Sequence, residues 1–285
     1  MKLYYRISDK GYEKQKLLGA TKKVCFENFF IAFRGMAIKG MADNCTTETI
    51  GMIQSHNCPV VETNLGNAKS LLKTLELAIE ENSEDTLLYF CEDDYLHRVG
   101  SDRLLLEGIA RADYVTLYDH PDKYTRMYNG GETSKVIKTA SSHWRYTAST
   151  CMTFGVRVKT LKEDIDVWKE FTKEDHPHDH FIFSKLSEDR RRRLAVCIPG
   201  AACHTDLTFS GSVNHMLIEP WAIEMMIEQR GKDIAEKVLS WPADAQIEFS
   251  HLSYNLLNGK IGWQLLIALD ALFTQTSIDN KKLLP

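Results

Sequence analysis

From residue 1 to 91, short apolar runs alternate with longer stretches whose apolar positions recur every three or four residues. Strands and helices in that order build a parallel sheet from βαβ units. The pattern predicts strands over residues 3–7, 37–42, 59–62 and 87–91. A helix beginning near Thr21 turns Val24, Phe26, Phe29, Phe30 and Phe33 toward the sheet. The clearest helix is Asn67–Glu81: Ala68, Leu71, Leu72, Leu75, Ala78 and Ile79 share one face, and Asn67 is placed to cap it after Gly66.

Beyond residue 92 the order is less regular. A helix over 102–110, a strand over 114–118 and a polar loop around Asn129-Gly130-Gly131 come first. The β-branched and aromatic stretch 146–156 reads as one strand. Helices over 161–172 and from Asp179 follow, and Leu194–Ile198 is expected to close the sheet. Past about residue 215 the pattern is helical, over 221–230, 234–239 and 261–273. The fold expected is therefore α/β: an open, mostly parallel sheet flanked by helices over 1–216, with a Rossmann-like nucleotide half, and a helical extension over 217–285 packed on it. The helix 261–273 is the most apolar and has no basic face, which favours internal packing; a homodimer through these helices and a membrane surface are the alternatives.

Composition narrows the class without choosing an activity. Of 285 residues, 44% are hydrophobic and 26% charged, as in ordinary folded domains. Lys and Arg number 35 against 39 acids, a net charge of -4, so no nucleic-acid partner is expected. The cationic run from Arg190 to Arg193 reads as the solvated last turn of a helix. Seven cysteines without C-x-x-C spacing suggest neither disulfides nor a zinc knuckle. No segment reaches the roughly 18 apolar residues of a membrane span, and the amino terminus lacks the charged and apolar regions of a signal peptide, so a cytoplasmic location is expected.

The chemistry concentrates at one strand end. Leu87-Leu88-Tyr89-Phe90-Cys91 reads as a buried strand, and Glu92-Asp93-Asp94 falls at its carboxyl end, where open α/β sheets bind ligands. Carboxylates there suit Mg2+ or Mn2+, hard ions that can bridge and neutralise a diphosphate. Upstream lie Arg6-Ile7-Ser8-Asp9 and Asp43-Asn44 at earlier strand ends, then Asn64-Leu65-Gly66-Asn67 before the long helix. Downstream come Ser141-Ser142-His143-Trp144, the segment from Glu174 to His180, and Cys203-His204 after the last strand, followed by Ser210-Gly211-Ser212.

This order of motifs over residues 1 to 216 resembles the GT-A glycosyltransferases of the family-2-like kind. The resemblance implies a metal-dependent transfer of a sugar, hexosyl or related, from a UDP- or GDP-type nucleoside diphosphate sugar to a glycan or other hydroxyl acceptor, with inversion. It implies that Arg6, Ser8, Asp43, Asn67, Glu92 and Asp93 bind the donor, Glu92 at the ribose. Asp94 and His204 hold the metal, with His215 the alternative to His204. Asp179 at a helix start is the general base, kept ionised by the helix dipole, with Glu174 and Asp175 in reserve; Trp144 and His178 line the acceptor cleft, and Ser210-Gly211-Ser212 forms a loop over the donor. Lys69 and Ser70 stand where the family commonly has an Arg.

The residues leave other readings open. His176, His178 and His180 recur at every second position, a spacing that on a strand could hold zinc. Asp179 could simply cap its helix, and Trp144 could be core. A sugar nucleotidyltransferase would share the fold but normally carries a Gly-rich loop after the first strand, which Ser8-Asp9-Lys10-Gly11 does not offer. A non-catalytic protein that holds a glycan or nucleotide is the third reading.

Overall fold

The computed structural model describes residues 1–10, 16–17, 19–120, 123, 133–151 and 153–206, and beyond these residues 221–222, 225–226 and 228–229, which are helical. The loops at Asn129-Gly130-Gly131 and Ser210-Gly211-Ser212, His215 and the helices expected over 234–239 and 261–273 lie outside the described residues. All the elements below belong to the compact unit Met1–Met226.

The strands are β1 (Lys2–Ser8), β2 (Ala37–Asp43), β3 (Val60–Thr63), β4 (Leu87–Glu92), β5 (Tyr95–His97), β6 (Tyr114–Thr116), β7 (Val136–Lys138), β8 (His143–Thr147), β9 (Phe154–Arg157), β10 (Leu194–Ile198) and β11 (Ala202–His204). The helices are α1 (Lys22–Ala32), α2 (Thr47–Gln54), α3 (Asn67–Glu81), α4 (Ser101–Ile109), α5 (Val158–Glu170) and α6 (Asp179–Arg190). Nine strands form one sheet in the order β3-β2-β1-β4-β9-β6-β10-β8-β7. The neighbours β3, β2, β1 and β4 are mutually parallel, and β6 and β10 point the same way, because β9 runs antiparallel to both β4 and β6. The fold is thus α/β, an open and mostly parallel sheet flanked by helices.

Strands β1 and β4 are buried on both faces, which is why β4 reads as an unbroken apolar run and β1 as one interrupted only by Arg6, rather than as alternation. On one face Leu3, Tyr5 and Tyr89 pack with Phe26, Phe29 and Phe33 of the α1 region; on the other Tyr4, Leu88 and Phe90 meet Leu71, Leu75 and Trp168. The second face is cemented by aromatic contact, Phe154 stacking on Trp168 with ring centroids 4.7 Å apart. The Thr21 hydroxyl accepts the Val24 amide (3.2 Å), and Thr46 caps α2 in the same way.

Three local expectations change. The stretch 146–156 is two strands: β8 pairs with β10, whereas β9 inserts between β4 and β6. The connecting residues carry hydroxyls that bond to the end of β6, with Thr150 Oγ1 donating to Thr116 Oγ1 at 3.0 Å and Thr116 Oγ1 to the Thr153 carbonyl at 2.9 Å. β-propensity alone does not see that competition. Strand β10 does not close the sheet, since β8 and β7 lie outside it. Finally, Gly66 at φ 83° is the residue before α3, without a side-chain cap, and Asn67 is its first helical residue. The cationic run is also less solvated than expected: Arg190 ends α6, but Arg192 turns inward to Asp164, a fully buried carboxylate (2.9 Å).

A second, two-stranded ribbon pairs β5 with β11 in the register Tyr95↔His204, Leu96↔Cys203 and His97↔Ala202. His97 within it is buried and its Nε2 lies 2.7 Å from the Tyr89 hydroxyl; burial pushes its pKa down to about 3. A histidine whose folded pKa is depressed contributes full stability above its unfolded value near 6.5 and progressively less as pH falls toward 3. Lowering the pH from 7 to 5 is therefore expected to cost about 2 kcal/mol through this residue alone. Urea titrations at the two pH values check it: His97→Gln, which keeps a partner for Tyr89, should lose markedly less stability than the wild type.

Candidate functional site

The carboxyl ends of β1, β2, β4 and β6 gather Ser8, Asp43, the triplet and the segment Leu117 to His120 at one edge of the sheet. At the opposite edge a separate cavity of about 330 Å³ is lined by Lys2, Tyr4, Ile38, His56, Pro59 and Glu81, and none of the site residues reaches it.

Asp94 and His204 are 110 positions apart in sequence, yet the β5–β11 register sets His204 opposite Tyr95, the residue after Asp94. The pairing continues past the strands, with Thr205 donating to the Asp94 carbonyl from its amide (2.8 Å) and its hydroxyl (2.9 Å). His204 Nε2 ends 3.2 Å from Asp94 Oδ2. The His204 ring lies 4.7 Å from Tyr95 and 6.0 Å from Tyr118, centroid to centroid. Beside the pair, Asp93 is pushed up in pKa by burial and by the Asp94 carboxylate; Lys16, Lys22 and the Ser8 amide partly offset this. Ser8 donates its backbone N–H to Asp93 Oδ2 (3.3 Å), and Lys22 Nζ lies 3.7 Å from that oxygen while also donating to Asp9 (3.0 Å) and to the Ser8 carbonyl.

The donor set suits a small divalent cation. Two ligand atoms at neighbouring corners of an octahedron with bonds near 2.1 Å stand about 3 Å apart. The Asp94 oxygen and the His204 nitrogen meet that spacing, and a cation would relieve the repulsion between the adjacent carboxylates of Asp93 and Asp94. Among the described residues no group of three or more His, Cys, Asp or Glu side chains could hold a metal by itself. Mg2+ usually keeps several positions for water and substrate phosphate, so two protein ligands are in keeping with such a site. The alternate histidines do not share a strand face: His176 and His178 precede α6, His180 lies in its first turn, and His178 Nε2 pairs with Glu174 at 3.1 Å.

Several residues expected at the donor also hold the protein together. Arg6 is 7% exposed; its guanidinium donates to Glu92 Oε1 (2.6 Å), to the Asn67 carbonyl and Oδ1 (2.8 and 2.9 Å) and to Ser70 Oγ (3.1 Å). It locks the triplet strand to the start of α3, so the Asn67 side chain and Glu92 are positioned through it. Asp43 accepts four bonds, from the Leu65 amide (2.7 Å), Thr63 (2.8 Å), Asn44 (2.7 Å) and the Gly66 amide (3.0 Å). Burial alone would raise its pKa, but these donors outweigh it and the net shift is downward. Four acceptances fill the lone pairs of a carboxylate, so Asp43 holds the turn before α3 through its own side chain.

Trp144 is also a correction. It is fully buried on β8, its indole N–H donates to Thr139 Oγ1 (3.0 Å), and its ring sits against Gly108 so closely that a Cβ there would lie 2.6 Å from it. It fills the layer under α4 and lines no cleft. Trp144→Ala is expected to cost roughly 3–5 kcal/mol of stability. Denaturant unfolding measures this, and a loss under 1 kcal/mol would contradict the core placement.

Asp179 is the first residue of α6 and does not cap it: the residue before the helix is His178, without a side-chain cap bond. Its pKa is raised, not held low by the helix end, because burial outweighs the favourable fields of His120, His180 and His178. A base with a raised pKa is the better proton acceptor near neutral pH. The sequence reading missed His120. It is 8% exposed and lies edge-on to Tyr118 with centroids 5.4 Å apart, and Tyr118 in turn lies 6.0 Å from the His204 ring. The strand-end logic that singled out the triplet also applies to Tyr118-Asp119-His120 after β6 and would have found it. Beside it, the buried pair Asp119 and Arg145 (2.7 Å) and Ser149, which accepts from Lys123 Nζ (2.9 Å), complete a polar wall.

No protein-family model matches the chain, and no curated protein matches it in sequence. Among solved structures it is similar to the galactosyltransferase LgtC in complex with donor and acceptor sugar analogues, at 10% identity and a TM-score of 0.45, over 81% of this chain and 96% of that one. It is similar to S. aureus TarS 1-349 at 17% identity and a TM-score of 0.43, over 93% and 76%. A nucleotidyl transferase from Methanothermobacter thermautotroptrophicus follows at 11% and 0.40, over 68% and 85%. The chain's own site geometry, and not these likenesses, carries the functional reading. Among the described residues no helix is long and apolar enough to cross a membrane.

Proposed function

We propose that the chain is a divalent-metal-dependent glycosyltransferase that moves a sugar from a nucleoside diphosphate sugar to a hydroxyl acceptor. The observation that carries the reading is the approach of His204 Nε2 to Asp94 Oδ2 at 3.2 Å, beside the half-buried Asp93, at the carboxyl edge of a mostly parallel sheet. Asp94 and His204 would hold the Mg2+ or Mn2+ ion, which supplies Lewis-acid neutralisation of a departing diphosphate. Glu92, held by Arg6 at 2.6 Å, would contact the ribose. Asp179, with its raised pKa, takes the proton of the acceptor hydroxyl as that oxygen attacks the anomeric carbon on the face opposite the leaving group, which gives inversion.

The test is a panel of UDP- and GDP-sugars incubated with Mn2+, followed by mass analysis of the products. Release of nucleoside diphosphate together with free or transferred sugar is the expected outcome. Release of pyrophosphate from a nucleoside triphosphate plus sugar phosphate would indicate nucleotidyl transfer instead, and binding without turnover would indicate a non-catalytic protein. Asp179→Asn is expected to bind donor as the wild type does while transfer falls roughly a hundredfold or more.

A further inference from the structure

The two aspartates that follow β4 meet different partners. Asp94 Oδ2 lies 3.2 Å from His204 Nε2, whereas Asp93 Oδ2 accepts the Ser8 amide (3.3 Å) and stands 3.7 Å from Lys22 Nζ. Lys22 is the first residue of α1, and its ammonium is itself held: it donates to the Ser8 carbonyl and to Asp9 Oδ1 (3.0 Å). Asp9 is fixed in turn through its other oxygen, which accepts the Thr46 amide (2.8 Å) and hydroxyl (3.0 Å) at the start of α2. A lysine stem is flexible and its ammonium strongly hydrated, so three oxygens around one ammonium fix a charge that would otherwise wander in solvent. The Lys22 side chain is 35% exposed and that of Asp93 17%, so their attraction is screened only in part. Lys16 also acts on Asp93 by its field, but among the described residues Lys22 is the cation at ion-pair distance.

We propose that Lys22 is the resident counter-ion of Asp93, a positioning residue that keeps this carboxylate on the Ser8 amide and leaves a divalent cation to Asp94 and His204. The inference rests on the metal-dependent transferase reading for its purpose, whereas the contact between Lys22 and Asp93 stands without it. An ammonium beside the acid weakens the pull of the site on a divalent ion, and the same charge favours an arriving diphosphate. Lys22 thereby sets the order of loading: the site takes metal and nucleoside diphosphate together rather than metal alone. No bond is made or broken at Lys22, and no proton leaves it.

Mn2+ binding to the full chain without nucleotide, read from the loss of the free-ion signal in electron paramagnetic resonance, tests this apart from turnover. Lys22→Met removes the charge and is expected to bind Mn2+ roughly tenfold tighter than the wild type, the size of effect one partly screened positive charge has on a nearby divalent ion. Lys22→Gln, which keeps a donor for the Ser8 carbonyl, should gain likewise, and Lys22→Arg, which keeps the charge, should stay within about twofold of the wild type. In Lys22→Met with Asp93→Asn the gain should vanish, because the second change removes the carboxylate that the first one frees. A lost structural contact weakens metal binding; a lost counter-ion strengthens it. Neutral variants that bind Mn2+ no tighter than the wild type, with the fold intact by circular dichroism, overturn the proposal, and so does a gain that survives Asp93→Asn. Transfer assays with the nucleotide-sugar panel complete the test: Lys22→Met should reach half its rate at a lower Mn2+ concentration while its donor KM rises. Tighter Mn2+ binding in a protein that consumes no nucleotide sugar keeps the counter-ion and sinks the transferase reading. Mn2+-dependent transfer by the wild type, with Mn2+ affinity unmoved in Lys22→Met, sinks the counter-ion alone.

Discussion

Asp94→Ala is expected to abolish metal-dependent nucleotide binding and to lower turnover by at least roughly a hundredfold. Asp94 is 1% exposed and contributes the carboxylate oxygen nearest His204, so its loss takes away one of the two atoms that would hold the proposed cation. The effect has to be read in binding as well as in rate: calorimetry of nucleoside diphosphate with and without Mn2+ should show a metal-dependent gain in the wild type and none in the variant. His204→Ala is expected to behave alike but less severely, since a neutral imidazole adds no charge. The main chain at Asp94 already accepts both Thr205 donors, and those bonds survive truncation of the side chain. A folded Asp94→Ala protein with wild-type affinity and turnover would refute the assignment of the acidic edge.

Arg145→Met is expected to cost about 3–5 kcal/mol of stability, because it takes from a buried carboxylate its ion-pair partner. Asp119 and Arg145 are 2.7 Å apart, with side chains 8% exposed each. Equilibrium unfolding in urea gives the loss directly. The double variant Arg145→Met with Asp119→Leu should recover most of it, because removing both charges removes the desolvation cost that a lone charge cannot escape. If Arg145→Met loses less than 1 kcal/mol, the pair is not the clamp described.

Much of the first half of the fold was legible from periodicity. Strands buried on both faces announce themselves as apolar runs, which is why β1, β2 and β4 were found within a residue or two, and the 3.6-residue stripe of α3 gave its bounds. Legibility fell where strands are short or hydrogen bonding is side-chain driven. β5 and β11 have three residues each, too few for any period, and the Ser- and Thr-rich turn between β8 and β9 carries the same residue types as a strand.

The site divides in the same way. Local order along the chain determined that three acids end a buried strand, that Asp179 opens a helix and that a histidine follows the last long strand, because strand ends and helix starts are written in neighbouring residues. Only the tertiary structure decided which of these meet. The β5–β11 register brings Asp94 to His204, and burial turns Arg6 and Asp43 toward the protein and sets Trp144 under Gly108. Contacts across a hundred residues are set by strand pairing and by the desolvation of charges, and neither has a signature in local sequence.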